Sequence, residues 1–203
     1  ESRLRVVVNA MVALGLLHED AGRYRNSVLA AAYLSGQTST DLRPALRFWN
    51  QLSFPLWANL EHALQTGDGQ WGTSPSREHQ RIFSEGVEAL TSSAARALAT
   101  RYDFGQHRRI LDLGGGTGSW LIPLLRQHEH LRATLVERAG VADIARQRLA
   151  ANVDPRRVEV VASDFLREPL PADHDVVLLA HVLHGFTPAQ NLELLRRLRA
   201  VVA

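Results

Sequence analysis

The chain has no cysteine, no lysine and a single methionine among its 203 residues. The lack of cysteine excludes disulfides and thiolate metal sites and makes a reducing cytoplasm the default compartment. With lysine absent, all 23 basic residues are arginine, which lifts the pI to about 9.6 although the formal net charge is only +2. Residues 1–100 carry nine arginines against nine acids, and residues 101–203 carry fourteen against twelve. Neither half has the one-signed excess of a nucleic-acid binder. No apolar run approaches membrane-spanning length, and no basic-then-apolar leader is read, so neither a membrane partner nor export is expected. Repeats and low-complexity tracts are also missing. What remains is the composition of an ordinary globular protein, 45% hydrophobic, long enough for one large or two small domains.

The rest is organised around Arg108 to Gly118. Ile110 to Leu113 reads as a short buried strand running into the glycine turn Gly114-Gly115-Gly116-Thr117-Gly118, with a helical pattern (Trp120, Leu121, Leu124, Leu125) behind it. Strand, glycine turn and helix make a nucleotide-type site, because glycines let a ligand approach the backbone and a helix N-terminus offers free N–H groups. A dinucleotide fingerprint would want Gly or Ala at position 119, where this chain has Ser119. A carboxylate, Asp112, also stands two residues before the first glycine. Beside a pyrophosphate it would repel; beside the ammonium of a methionine moiety it attracts. The pattern therefore points to S-adenosylmethionine, with Gly114 and Gly116 in the cradle.

Ahead of this stretch the chain reads as helical. Leu4, Val7, Val8 and Met11 fall at helical spacing, Asp20-Ala21-Gly22 centres a small hairpin, and Ser27 caps a short helix ended by Gly36. This is the pattern of a winged helix, but its first helix offers DNA only Arg3 and Arg5. Asp41 is expected to cap a helix carrying Leu42, Leu46 and Trp49, broken by Pro55 and followed by a second helix ending at Gly67. The rings of Phe48, Trp49, Phe54 and Trp57 are expected to be mostly core, of the domain or of a dimer, with a pocket wall for a flat substrate as the alternative. Gly67 to Pro75 reads as a loop, and Ser76 to Tyr102 as one long helix. A boundary near residue 88 gives domains 1–87 and 88–203.

The second half alternates strand and helix, the signature of a parallel sheet covered on both faces. Expected strands are Ala133 to Glu137, Val158 to Val161 and Asp175 to Ala180, with Pro123 kinking the first helix or delaying its start. Four strand ends then line one edge with Asp112, Glu137, Asp164 and His181/His184, the edge where open parallel sheets bind ligands. Glu137 stands where an acid accepts ribose hydroxyls. Asp164 and Phe165 suit an adenine amino group and ring, or else a capping carboxylate and a core phenyl. His181 and His184 are spaced to share a metal, but no convergent acid accompanies them, so no metal is expected. An imidazole here can instead take a phenolic proton during methyl transfer, an effect worth about 10²–10⁴ in rate.

Together, Val12-Ala13-Leu14-Gly15-Leu16-Leu17, Leu111-Asp112-Leu113-Gly114-Gly115-Gly116-Thr117-Gly118, Thr134-Leu135-Val136-Glu137, Ser163-Asp164-Phe165 and Val182-Leu183-His184-Gly185-Phe186 resemble the plant-type O-methyltransferase family. The family includes caffeate and flavonoid methyltransferases and bacterial natural-product tailoring enzymes. The resemblance implies a Rossmann-like α/β methyltransferase domain behind a helical, winged-helix-like dimerisation domain, hence a homodimer. It implies that His184 is the general base, that Glu137 binds ribose, and that Asp164, Phe165 and Phe186 surround adenine. More loosely, it implies that Trp49 and Asn50 wall the substrate, a small aromatic hydroxy compound. Gly185 and Phe186 replace the family's Asp and Trp, and Ala180 replaces a frequent Lys. The family fold needs three further strands, so the chain is expected to be part of a longer protein. Two alternatives accompany this reading: a relative that binds the cofactor without methylating, and a winged-helix regulator sensing a small molecule.

Overall fold

A computed structural model of the chain describes residues 2–67 and 76–202, so the expected loop at 67–75 lies, from residue 68 on, outside the described residues. The chain divides into two units, Glu1–Leu90 and Thr91–Ala203. No helix among the described residues is long and apolar enough to cross a membrane.

In the first unit, helix α1 (Ser2–Ala13) ends before Gly15, and strands β1 (Leu17–Asp20) and β2 (Arg23–Asn26) pair antiparallel. Ala21 and Gly22 both take positive φ, 49° and 78°, which is the geometry a two-residue hairpin turn demands. Helix α2 (Val28–Tyr33) is capped as the sequence predicts, the Ser27 hydroxyl accepting from the Ala30 N–H. Asp41 is not a helix cap. Its carboxylate accepts the Arg43 N–H at 3.0 Å and pairs with the Arg43 guanidinium at 2.9 Å, and α3 (Arg43–Phe48) starts behind Leu42 without a side-chain cap.

Pro55 does not break the next helix either. The backbone widens by one residue at Trp49–Ser53, where the Phe54 N–H reaches the Trp49 carbonyl, and continues as α4 (Phe54–Trp57). The widened turn directly precedes Pro55, and the local shift in pairing carries the helix past a residue that has no N–H to donate. Helix α5 (Leu60–Thr66) closes on Gly67 in the left-handed conformation, and α6 (Arg77–Arg101) forms as one long helix. Where α3 crosses α6, a Cβ on Gly86 would stand 2.3 Å from that of Phe48, so only glycine permits this approach. Of the four aromatic rings expected to be mostly core, Phe48 alone is buried. Trp49, Phe54 and Trp57 are 49%, 67% and 60% exposed in the single chain.

The second unit is a four-stranded parallel sheet in the order β5-β4-β3-β6. Its strands are β3 (Arg109–Leu113), β4 (Arg132–Glu137), β5 (Val158–Ala162) and β6 (Val176–Leu178). Alternation along β3 sends Ile110 toward α7 (Leu121–Gln127) and α8 (Ala139–Ala150). Leu111 and Leu113 go to the opposite face, under α9 (Pro188–Val201). Burial on both faces explains the unbroken apolar run. Pro123 is the third residue of α7, so the helix starts late enough to lose no bond to it.

β6 is shorter than the expected Asp175 to Ala180. At one end the Asp175 carboxylate accepts the N–H groups of Arg108 and Arg109 at 2.6 and 3.2 Å, while its own N–H donates to the Arg109 carbonyl at 3.1 Å. At the other, the chain turns away through a positive φ of 56° at His181.

Candidate active site

Parallel strands bring their C-terminal ends to one edge, and there the glycine turn, Glu137, Ser163-Asp164-Phe165 and the 181–186 segment follow β3, β4, β5 and β6 respectively. The Gly114 N–H donates to the Val136 carbonyl at 2.9 Å, extending the β3–β4 ladder by one residue before the turn departs. Gly114 and Gly116 take φ of 65° and 56°, backbone that side-chain-bearing residues rarely adopt. A Cβ on Gly114 would meet Val182 at 2.9 Å and the Phe165 ring at 3.5 Å, whereas one on Gly116 would have nothing within 4 Å. The turn is thus packed at its first glycine and open at its third.

Asp112 is fully buried, and neither carboxylate oxygen has a hydrogen-bond partner among the described residues. Burial, with a smaller contribution from the charge of Glu137, pushes it up to about 7. The sequence reading sets this carboxylate beside an ammonium group. Here it lies beneath the backbone of the turn, so its charge acts through Gly115 rather than across an open face. Glu137 is half-buried and also raised, chiefly by burial, and one of its oxygens accepts the Arg138 N–H at 3.2 Å. An orphaned buried carboxylate, an open glycine and a second acid at the neighbouring strand end fit a ligand that brings positive charge and hydroxyl donors.

Asp164 is partly engaged already: one oxygen accepts the Leu166 N–H at 3.1 Å, and the other lies 3.7 Å from Arg167. Phe165 packs against the turn at Gly114 and meets Phe186 edge-on, ring centres 6.0 Å apart. The Phe165 backbone is held by Arg197 of α9, which donates to the carbonyls of Phe165, Leu166 and Glu168. His184 is exposed on a short 3-10 turn, Leu183–Gly185, anchored by Asn191 donating to the Leu183 carbonyl at 2.8 Å. His181 is exposed too, and its ring lies between Trp120 (6.2 Å) and His184 (6.1 Å).

Trp49 and Asn50 belong to the first unit, where both are exposed on the widened turn after α3. Sequence reasoning missed Val182, Trp120, Thr117 and the two arginines Arg148 and Arg197. Arg148 and Arg197 act over separations of about thirty residues and leave no local signal. Two polar clefts around Arg132, Arg156 and Arg157 open at the opposite ends of the strands and hold none of the site residues.

Residues 57–203, most of the chain and the whole glycine-turn unit, match the model of the O-methyltransferase domain. The chain belongs to this family. It is 35% identical over 198 residues to the 3-hydroxy-5-methyl-1-naphthoate 3-O-methyltransferase of Streptomyces sahachiroi, covering 94% of this chain and 57% of that one. To the phenazine O-methyltransferase of Lysobacter antibioticus it is 31% identical, covering 97% of this chain and 60% of the relative. The chain thus spans less than two thirds of the length of either family member. The human N-acetylserotonin methyltransferase, solved in complex with S-adenosylmethionine, superposes with a TM-score of 0.83 at 22% identity, covering 98% of this chain and 61% of its own. At that identity the likeness is one of fold.

Proposed function

We propose that this chain carries the donor site of an S-adenosylmethionine-dependent O-methyltransferase acting on a hydroxyl of a small aromatic metabolite. The observation that carries the reading is the buried Asp112, without a partner among the described residues, under an open glycine turn with Glu137 at the next strand end. Both relatives described above are named as methyltransferases of fused-ring aromatics, which supports the acceptor class.

S-adenosylmethionine supplies a methyl group on a sulfonium that departs as a neutral thioether. In this reading Glu137 would accept the ribose hydroxyls, Phe165 and Phe186 would flank the adenine ring, and Asp164 would accept from its amino group. Gly114 and Gly116 let the backbone come close, and Asp112 supplies negative potential toward the ammonium group. His184 takes the acceptor's proton, since a neutral phenol is a weak nucleophile and imidazole titrates near neutrality. No acid is needed on the leaving side, and the remaining acceleration comes from alignment.

Residues 1–87 then form a winged-helix-like dimerisation domain and 88–203 the donor domain. The large apolar residues exposed on the first unit (Leu4, Val7, Leu14, Trp49, Phe54 and Trp57) support a homodimer, since a monomer rarely shows so much apolar surface. Light scattering of the full chain at micromolar concentration should give the dimer mass. The lack of cysteine suits the cytoplasm. The deciding experiment is a mass-spectrometric search for a product heavier by one methyl group after incubation with S-adenosylmethionine and a panel of aromatic hydroxy compounds. The absence of any methylated product across naphthoic, phenazine and simple phenolic acceptors would overturn the reading.

A further inference from the structure

The glycine turn is fixed from one side by a single helix. The Thr117 side chain, in the middle of the turn and 5% exposed, accepts a hydrogen bond at 2.7 Å from the guanidinium of Arg148 in α8. The next residue of α8, Leu149, lies under Gly118, where a Cβ would stand 2.8 Å from its side chain. The end of α8 is tied in turn to α7, the helix that leaves the turn. Asn152 donates to the Arg148 carbonyl at 2.8 Å, and Arg126 of α7 donates to Asn152 at 2.7 and 3.1 Å. The other end of α8 begins at Ala139, two residues after Glu137. One rigid helix therefore spans about 15 Å between the acid at the end of β4 and the arginine on the turn.

We propose that the Arg148–Thr117 bond is a latch that sets the glycine turn against Glu137, making Arg148 a positioning residue for the methyl donor. This rests on the donor site proposed above. The bond is charge-assisted and partly shielded from water, the setting in which such bonds are strongest and most directional. Losing it leaves the turn's first glycine packed against Val182 and Phe165 and frees the segment around Thr117. The two groups expected to grip opposite parts of the donor then lose their common reference.

The test is a double-mutant cycle in the full chain, with S-adenosylmethionine and S-adenosylhomocysteine binding measured by calorimetry. Thr117→Val and Arg148→Met should each weaken binding measurably, up to a ceiling of about tenfold, the whole worth of one hydrogen bond. The double variant should bind no more weakly than Arg148→Met alone, rather than by the product of the two losses, because Arg148→Met already removes the bond to Thr117. Thr117→Ser and Arg148→Lys, which keep an acceptor and a donor, should recover most of the affinity. The KM for the acceptor should stay unchanged while that for the donor rises. Additive losses, or a lowered melting temperature with donor affinity unchanged, would overturn the latch. If the unmodified chain binds neither compound, the donor site itself is refuted; if it binds and the variants bind equally well, only the latch is.

Discussion

The Asp112 carboxylate supports the glycine turn from beneath: a Cβ placed on Gly115 would stand 2.4 Å from Oδ2 and 2.6 Å from Cγ of Asp112, and 3.0 Å from Leu135. Gly115 is the one glycine of the turn whose backbone does not require glycine, since its φ is not positive. Contact alone excludes a side chain there.

Gly115→Ala should therefore destabilise the chain by about 1–3 kcal/mol, the usual cost of overpacking a filled interior. Most of that loss should vanish when Asp112→Ala makes room. Chemical denaturation of the two single variants and the double variant measures the coupling. A Gly115→Ala penalty that stays undiminished in the Asp112→Ala background would refute the contact.

Asp112, raised to about 7, binds its proton more tightly folded than unfolded. An acid shifted upward stabilises the fold fully below its unfolded value near 4, and that stability drains away as pH rises through about 7. Asp112→Asn should thus gain on the unmodified, ligand-free chain as pH goes from about 5 to about 8, read as the difference between their melting temperatures. A cationic donor reverses the preference and favours the ionised carboxylate. Its binding near pH 6 should release protons, with Glu137, also raised, adding in the same sense. Calorimetry in two buffers of different ionisation enthalpy detects this, and proton uptake would contradict it.

Glu137→Ala should weaken S-adenosylmethionine binding by about 1.5–3 kcal/mol, the range for hydrogen bonds to a charged group. In the unmodified chain this ligand should raise the melting temperature while NAD does not. Equal shifts with both compounds would sink the assignment of the turn to a methionine nucleoside.

His184→Ala should leave donor affinity nearly intact, because the expected contacts from Glu137, Asp164 and Phe165 come from other strand ends and the substitution leaves the Phe186 ring in place. Turnover should fall by about 10²–10⁴. The loss should shrink with more acidic phenols, which arrive already ionised, and His181→Ala should do much less. Rates of both variants on two phenols of different acidity check this. Near-normal turnover of His184→Ala on the less acidic phenol would place the base elsewhere.

Elements with a local cause were legible in advance. The hairpin needs two positive-φ residues and finds them at Ala21-Gly22, and α2 needs a hydroxyl cap and finds Ser27. The glycine turn announces itself through Ile110 to Leu113 ahead of it and the late helix behind. Expectations failed where a neighbour intervened. Arg43 captured Asp41 before it became a cap, and a one-residue widening of the helix absorbed Pro55. Within the chain, the crossing of α3 and α6 covers the Phe48 ring and leaves those of Trp49, Phe54 and Trp57 exposed, a domain core for one ring and a surface for the other three.

Periodicity and glycine placement act over a few residues, so the chain's own order is enough for the parallel α/β class and for the succession of acids and imidazoles along one sheet edge. Packing was needed to put Asp112 under the turn and to set His181 between Trp120 and His184. Packing also brings Arg148 to Thr117 across 31 residues of chain. Those relations depend on which helix covers which face of the sheet, and burial, which sets the charge of Asp112, exists only once that covering is complete.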